Sequence, residues 1–354
     1  MGKDWDEVLR SANGTIFQSH AFVMAWLRCY ADIANPAVAI VEGQNGIEGI
    51  LPLAMHNVRV MKMRCRVLSP VGVCGPNNMF HNVGAMIRSE AIGAKEALAS
   101  AIAGQRWDLL DLRFLADEKS NEGIKEALGQ RWSVESLPPT PCPLIELPEG
   151  DVISVIGTRT RRSIRSTLRR LEAEERIAFR TVTSAEEMLA ACNEHIDLHK
   201  VRWAKKGGSI FSKERHVDLV REMVRIVAER RQGAFYAIDI DGKPAARLLC
   251  FYDGEWCRAY QLSVNDEFLD YFPGHLTFYE AMKDVQSRGM KWIDFGPGDD
   301  VYKSRLGAKE AFTQGFQIKR GKLGLAKRVS KWPGISTISR RTGLMKRSVE
   351  SMNE

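Results

Sequence analysis

The stretch AFYAIDIDGKPAARLLCFYDGEWCRAYQLSV, residues 234–264, holds three apolar runs joined by Asp241-Gly242 and Asp253-Gly254. Asp-Gly supplies the positive φ angles of a tight hairpin turn, so the spacing predicts a three-strand antiparallel meander. Upstream, Val220, Met223, Val224 and Val227 recur at i, i+3, i+4 and i+7 with Arg221, Glu222, Arg225 and Glu229 opposite. That is an amphipathic helix over 217–231, stopped near Gly233. Downstream, Phe278, Ala281, Met282 and Val285 repeat the pattern in HLTFYEAMKDVQSRG, with Gly289 suited to the C-cap, and MKWIDF follows as a strand. The order is helix, three antiparallel strands, helix, strand.

The last strand runs into DFGPGDDVYKSRLG, residues 294–307. A nucleotide-binding reading fails on spacing. A Walker loop needs glycine directly before its lysine, and Tyr302 precedes Lys303; a dinucleotide fingerprint needs a third glycine where Val301 stands. The glycines at 296 and 298 instead permit a bend and a close approach of backbone to a ligand.

The first half repeats the same order weakly. PAVAIVE and IEGILPLAMH flank GQNG as a hairpin, and the helical run AIGAKEALASAIAG leads into RWDLLDLRFL. A near-constant offset between matching features of the halves is what a duplicated domain produces, although two unrelated α/β modules would look similar. Five prolines within SLPPTPCPLIELPEGD, 136–151, place the boundary there, with CPLIEL itself strand-like. The expectation is an α/β (α+β) chain of two tandem units, 1–150 and 151–318, each a mixed, mostly antiparallel sheet flanked by helices, followed by a basic tail, 319–354.

Composition limits the function. The chain has 354 residues, 44% hydrophobic and 27% charged, as a soluble globular protein of two domains does. No apolar run is long enough to span a bilayer, and the polar start MGKDWDEVLR has no secretory pattern, which places the chain in the cytoplasm. Seven scattered cysteines form no C-x-x-C and no zinc spacing, and read as buried free thiols. The net charge of +7 belongs to the tail, where ten Lys/Arg against two Glu leave −1 for everything before Lys319. Such a tail attracts phosphates or anionic lipid, or stays a solvated extension.

Five segments, IGTRTRRSIRSTLRRLE (156–172), IDLHKVRWAKKGG (196–208), DGKPAARLLCFYDG (241–254), YFPGHLTFYEAM (271–282) and DFGPGDDVYKSRLG, carry a resemblance. Together they resemble the GNAT acyltransferase superfamily, in its cellulose-biosynthesis-associated (CelD-like) branch. The likeness covers most of 150–317 and extends weakly to SPVGVCGPNN (69–78). Fem-type aminoacyltransferases of peptidoglycan synthesis are similar in their tandem domains.

The resemblance implies an acyltransferase that moves an acetyl group from acetyl-CoA, or another acyl-CoA, to nitrogen or oxygen of a sugar or lipid-linked saccharide in exopolysaccharide assembly. A Fem-like transferase using aminoacyl-tRNA, or a silent binding module on the same fold, is the alternative. It implies that the strand before the 294–307 loop parts from its neighbour and that the acyl chain lies in the gap, with Asp294, Gly296, Gly298, Gly274 and His275 on the cofactor side. Free N–H groups at the Pro273-Gly274 helix start favour an anion, although only Gly274 remains of the family's pyrophosphate loop. Lys303 would steady an oxyanion, Tyr302 would protonate the leaving thiolate, and Asp299 or His199 would act as base. No nucleophile–His–acid triad is legible, so transfer is expected to be direct.

The acceptor wall is assigned to Arg162, Arg165, Arg202, Trp203 and Tyr260. The arginines of 159–170 precede the acids of 172–175, an order that opposes the helix dipole and suggests anion binding rather than helix stability. His195 and His199 share a helix face, but no third ligand lies nearby, so no metal is expected. The acceptor is a small molecule or saccharide. The tail would touch the inner face of a membrane, and nucleic acid is not expected apart from tRNA under the alternative.

Overall fold

A computed structural model describes residues 2–321 apart from 45, 61–62, 75–77 and 117. In the first half, β1 (Ala39–Gly43) pairs antiparallel with β2 (Gly46–Leu51). Pro52 then breaks the strand, and the chain continues as β3 (Leu53–Val60) in a different sheet, paired with β4 (Met63–Pro70). Helix α1 (Ala94–Gly104) follows, and β5 (Leu109–Leu115) lies parallel to β4 at Val67↔Leu109 and Leu68↔Leu110.

The linker supplies a short strand, β6 (Leu144–Glu146). The second half then runs α2 (Thr158–Ala173), β7 (Ile177–Val182), α3 (Ala185–Ala204), α4 (Glu214–Arg230), β8 (Gly233–Ile240), β9 (Lys243–Asp253) and β10 (Trp256–Val264). It closes with α5 (Pro273–Ser287), β11 (Trp292–Asp294), α6 (Val301–Arg305) and β12 (Phe312–Lys319). The expected meander is β8–β9–β10. Asp241 (φ +52) and Gly242 (φ +71) both take the left-handed backbone of a tight hairpin turn. Helix α4 buries Val220, Met223, Val224 and Val227, and Arg231 (φ +55) ends it.

The second half therefore contains a meander, a helix and a strand parallel to the meander's last strand, and the first contains two hairpins in separate sheets, a helix and a strand parallel to the last hairpin strand. Sheet membership nevertheless does not follow the expected boundaries. Strand β6, before residue 150, joins the second half's six-stranded sheet in the order β6-β11-β10-β9-β8-β7. Strand β12 crosses back to the first half's seven-stranded sheet and pairs with β5. The halves thus exchange one strand each.

Helices α3 and α4 cover one face of the six-stranded sheet in a core shared with first-half residues Phe17, Phe22, Trp26 and Phe80. Helices α2 and α5 cover the other face. At the edge of the expected tail, Lys319 pairs with Glu135 and the Arg320 guanidinium lies over Trp107 and Trp132, so these two basic residues belong to the first half's sheet. The rest of the tail, 322–354, lies outside the described residues. Among the described residues no helix is long and apolar enough to cross a membrane.

Candidate functional site

Strands β10 and β11 run parallel through three pairs, Trp256↔Trp292, Cys257↔Ile293 and Arg258↔Asp294, and then part. The chain after β11 turns to the linker instead, with Phe295 N–H on Pro143 O (3.0 Å) and Gly298 N–H on Pro141 O (2.9 Å). Strand β10 continues to Val264 without a strand on that side among the described residues. Its register with β9 shifts between Leu249↔Gln261 and Cys250↔Ala259, leaving Tyr260 as an inserted bulge residue immediately past the parting point.

Asp294 sits at the apex, 3% exposed. Its Oδ1 accepts from Gly296 N–H (2.7 Å) and from the Cys142 thiol (3.4 Å). Its Oδ2 accepts from Arg258 Nη1 (2.9 Å) and from Asn82 Nδ2 (2.6 Å), with His81 Nε2 3.6 Å away. Burial alone would push this carboxyl up. The contacts with His81, Arg258 and the Gly296 N–H outweigh it and hold Asp294 well below the carboxylate range. Arg258 also grips Asp253, whose Oδ2 accepts from Ile16 N–H at 3.0 Å. Desolvation raises the Asp253 carboxyl despite Arg258.

The first half thus reaches into this apex. Residues 79–84 lie across it, pinned by Thr15 Oγ1 on Asn82 O (2.8 Å) and Gln18 Nε2 on Gly84 O (3.0 Å). Tyr260 donates its hydroxyl to Met79 O (2.9 Å) and packs on Phe251 and Phe17. Burial raises that hydroxyl's pKa. Gly296 takes a left-handed backbone (φ +67), which favours glycine, and lies against the His81 ring.

The 296–303 loop is organised differently from expectation. Lys303 is buried, and its Nζ donates to Gly296 O (3.1 Å), Pro297 O (3.2 Å) and Gly298 O (3.0 Å). All three ammonium protons are occupied, and Asp300 is 3.7 Å away. Lys303 is therefore a clamp that closes the loop, not a free charge for an oxyanion, because an ammonium has only three donors. Desolvation lowers its pKa. Tyr302 packs on Phe278 and Phe295, and burial pushes its hydroxyl up, away from easy proton release. Asp299 is exposed.

On the α3 face, His195 is fully buried with Nε2 3.2 Å from Gln261 Oε1, so it braces the diverging half of β10. Half-buried His199 places Nδ1 2.7 Å from Ser209 Oγ and stacks on Trp203 at 5.6 Å. Desolvation lowers both imidazoles to about 4, so they are neutral at pH 7. Arg202 pairs with Asp266 at 3.3 Å.

At the start of α5, Gly274 lets the helix approach β10: a Cβ there would be 3.1 Å from Leu262 Cδ2. Pro273 has no N–H, and the His275 and Leu276 N–H groups bond to Phe272 O, which leaves Gly274 as the free donor of the first turn. His275 stacks on Phe272, and burial lowers its pKa.

Arg162 and Arg165 are exposed on α2. That helix packs in the α5 layer, whereas His199, Trp203 and Tyr260 lie on the α3 side, so the expected acceptor set is split between two faces of the sheet. Arg161 instead turns back to Ser154 O and Ile156 O. Residues missed in the sequence are His81, Asn82, Arg258 and Cys142. The only sequence signal near the first two was SPVGVCGPNN, of which 75–77 lie outside the described residues. Among the described residues no His/Cys/Asp/Glu group is arranged to hold a metal.

Comparison with known proteins agrees with this architecture. Residues 158–304 match the acetyltransferase (GNAT) domain family. No curated relative matches the sequence. Among solved structures, FemX superposes with a TM-score of 0.52 at 12% identity, covering 94% of this chain and 98% of that one. L-PGS from Bacillus licheniformis superposes with 0.53 at 10% identity, covering 97% and 96%. A conserved protein of unknown function from Bacteroides thetaiotaomicron VPI-5482 gives 0.56 at 10% identity, covering 90% and 98%. The chain carries a GNAT-type acetyltransferase domain and is an acyltransferase of that fold.

Proposed function

We propose that the protein transfers an acyl group directly from an acyl-CoA thioester to an amine or hydroxyl of a sugar or lipid-linked saccharide, in exopolysaccharide biosynthesis. The observation that carries the acyl-transfer reading is the parting of β10 from β11 after Arg258 and Asp294, with the Tyr260 bulge beside it. A diverging strand edge offers backbone donors to a thioester carbonyl, and preorganised donors are what an oxyanion needs. Direct transfer is favoured by the thiols: Cys142 donates to Asp294 and burial raises its pKa, so it is a poor nucleophile. The saccharide acceptor rests on the sequence resemblance. The basic segment beyond Lys319 is assigned to contact with an anionic membrane surface.

One observation favours a second donor. A single free N–H in the first turn of α5 is a weak cradle for a pyrophosphate, and the Fem-type transferases that the sequence resembles, of which FemX superposes over 94% of this chain, use an aminoacyl ester of tRNA instead. A thermal-shift titration separates the two. Acetyl-CoA at a hundred times its Kd should stabilise the protein by about 2.7 kcal/mol. No shift with acetyl-CoA, together with transfer of a labelled amino acid from charged tRNA, overturns the acyl-CoA reading.

A further inference from the structure

We propose that His81, contributed by the first half, is the proton acceptor of the second half's transfer site, held in place by Asp294. This inference rests on the acyl-transfer reading above and adds the group that moves the proton.

His81 lies at the parting point of β10 and β11, on the face shared with Phe17 (4.5 Å between rings) and Tyr260. Its Nε2 is buried and makes no hydrogen bond within the usual limit, yet it faces Asp294 Oδ2 at 3.6 Å. Its Nδ1 forms no hydrogen bond to any described residue, and the side chain keeps 7% exposure. A carboxylate on one ring nitrogen fixes the tautomer with the proton there, and leaves the other nitrogen basic. Catalytic hydrogen bonds of this kind are often long in the free enzyme and tighten when substrate binds.

Arg258 is shared between Asp253 and Asp294, so the trio leaves one negative charge uncompensated beside the imidazole. Cys142 faces Asp294 as a neutral thiol, and Lys303 is spent on loop carbonyls with Asp300 beside it. Asn82 and Arg258 act through Asp294 and are positioning residues. By contrast His195, fully buried, faces the neutral amide of Gln261, and His199 a hydroxyl. Neither has a carboxylate to balance an imidazolium.

In the step, the acceptor O–H or N–H gives its proton to His81 Nδ1 as its oxygen or nitrogen bonds to the thioester carbon. Collapse of the tetrahedral adduct breaks the carbon–sulfur bond, and the departing thiolate takes that proton from His81. Acceptor-H and acyl-S-CoA become acyl-acceptor and CoA-SH, and His81 ends as it began.

The test measures CoA thiol release from acetyl-CoA with glucosamine as acceptor. His81→Gln should lower kcat by about 100-fold or more while the KM for acetyl-CoA changes by less than about threefold, and imidazole should restore about tenfold activity to His81→Ala. A His81→Gln kcat within about threefold of wild type, or a loss that imidazole does not rescue in a normally folded variant, overturns the proposal. Should the wild-type protein release no thiol, the acyl-CoA reading fails, and labelling by diethyl pyrocarbonate judges His81 alone. Carbethoxylation of His81 much faster than of His195 supports a basic, reachable ring. A His81 as inert as His195 overturns the proposal.

Discussion

The two halves solve the same topological problem in opposite ways. In each, a helix returns the chain as a strand parallel to the antiparallel strand that precedes the helix, and the parallel pairing is brief: Leu68↔Leu110 ends it in the first half and Arg258↔Asp294 in the second. In the first half the far end of β5 is then covered by the chain's own Val83, which bridges to Leu115 with Val83 N–H on Phe114 O and Ala116 N–H on Val83 O. Strand β4 pairs with β3 in uninterrupted register, without a bulge. In the second half β10 carries the Tyr260 bulge, and the residues just before Val83 sit at the apex as His81 and Asn82. One short segment thus fills the gap of one half and furnishes the gap of the other. The two halves therefore share one site at the apex, lined by a segment that closes the corresponding gap of the first half.

The largest test of this difference is Asp294→Ala. It leaves Arg258 with one partner fewer and removes the acceptor of Asn82 in a buried setting, so we expect a loss of about 3–5 kcal/mol. Denaturant unfolding followed by tryptophan fluorescence measures it. A loss below about 1 kcal/mol would mean that the Asp294 contacts add little to the joining of the halves.

Val83→Pro attacks the filled gap instead. It removes the N–H that reaches Phe114 and sets a proline after Asn82, whose φ of +51 suits it poorly. About 3 kcal/mol of stability should go, while the Kd for acetyl-CoA in isothermal titration stays within about threefold. Equal loss of binding would show that the filled gap also holds ligand.

A pH effect should arise at His195. His195 is buried and neutral, with its pKa lowered to about 4. The unfolded chain binds the extra proton first, so stability is full above about pH 6.5 and falls as pH drops toward 4, by at most about 3 kcal/mol. Unfolding curves at pH 7 and pH 5 should differ less for His195→Gln than for wild type. An unchanged difference would place the acid sensitivity elsewhere.

The smallest effects contrast two glycines. Gly274→Val pushes a side chain against Leu262 and should cost about 1–2 kcal/mol, with acetyl-CoA affinity down tenfold or more. Gly49→Ala, in the first half, meets its neighbours at ordinary contact distances of 3.6–3.7 Å and should change stability by under about 1 kcal/mol. Loss of acetyl-CoA binding in Gly49→Ala would reverse the roles assigned to the halves.

Much of the frame was legible. Asp241-Gly242 and the heptad-like spacing of Val220 to Val227 are local signals, and the β8–β9–β10 meander and α4 follow from them. The strand exchange was not, because CPLIEL looks like a strand whichever sheet it joins, and sheet membership is a matter of long-range pairing. The site was legible in part. Asp294, Gly296 and Gly274 stand at the parting strands as expected. Lys303 looked like a free cation because nothing local shows that its own loop carbonyls surround it. Arg162 and Arg165 looked like neighbours of Trp203 because sequence does not tell which face of a sheet a helix covers. His81 and Asn82 carried no signal at all, since their partner is 212 residues away from Asn82.

What the amino-acid order determined by itself is the meander, helix and strand of the second half and the hairpin, helix and strand of the first, because turn chemistry and periodicity act over a few residues. Tertiary structure alone decided which gap stays furnished for chemistry and which is filled. That choice depends on a buried set of charges, Asp253, Arg258 and Asp294, which is stable only when groups from distant parts of the chain arrive together to satisfy it.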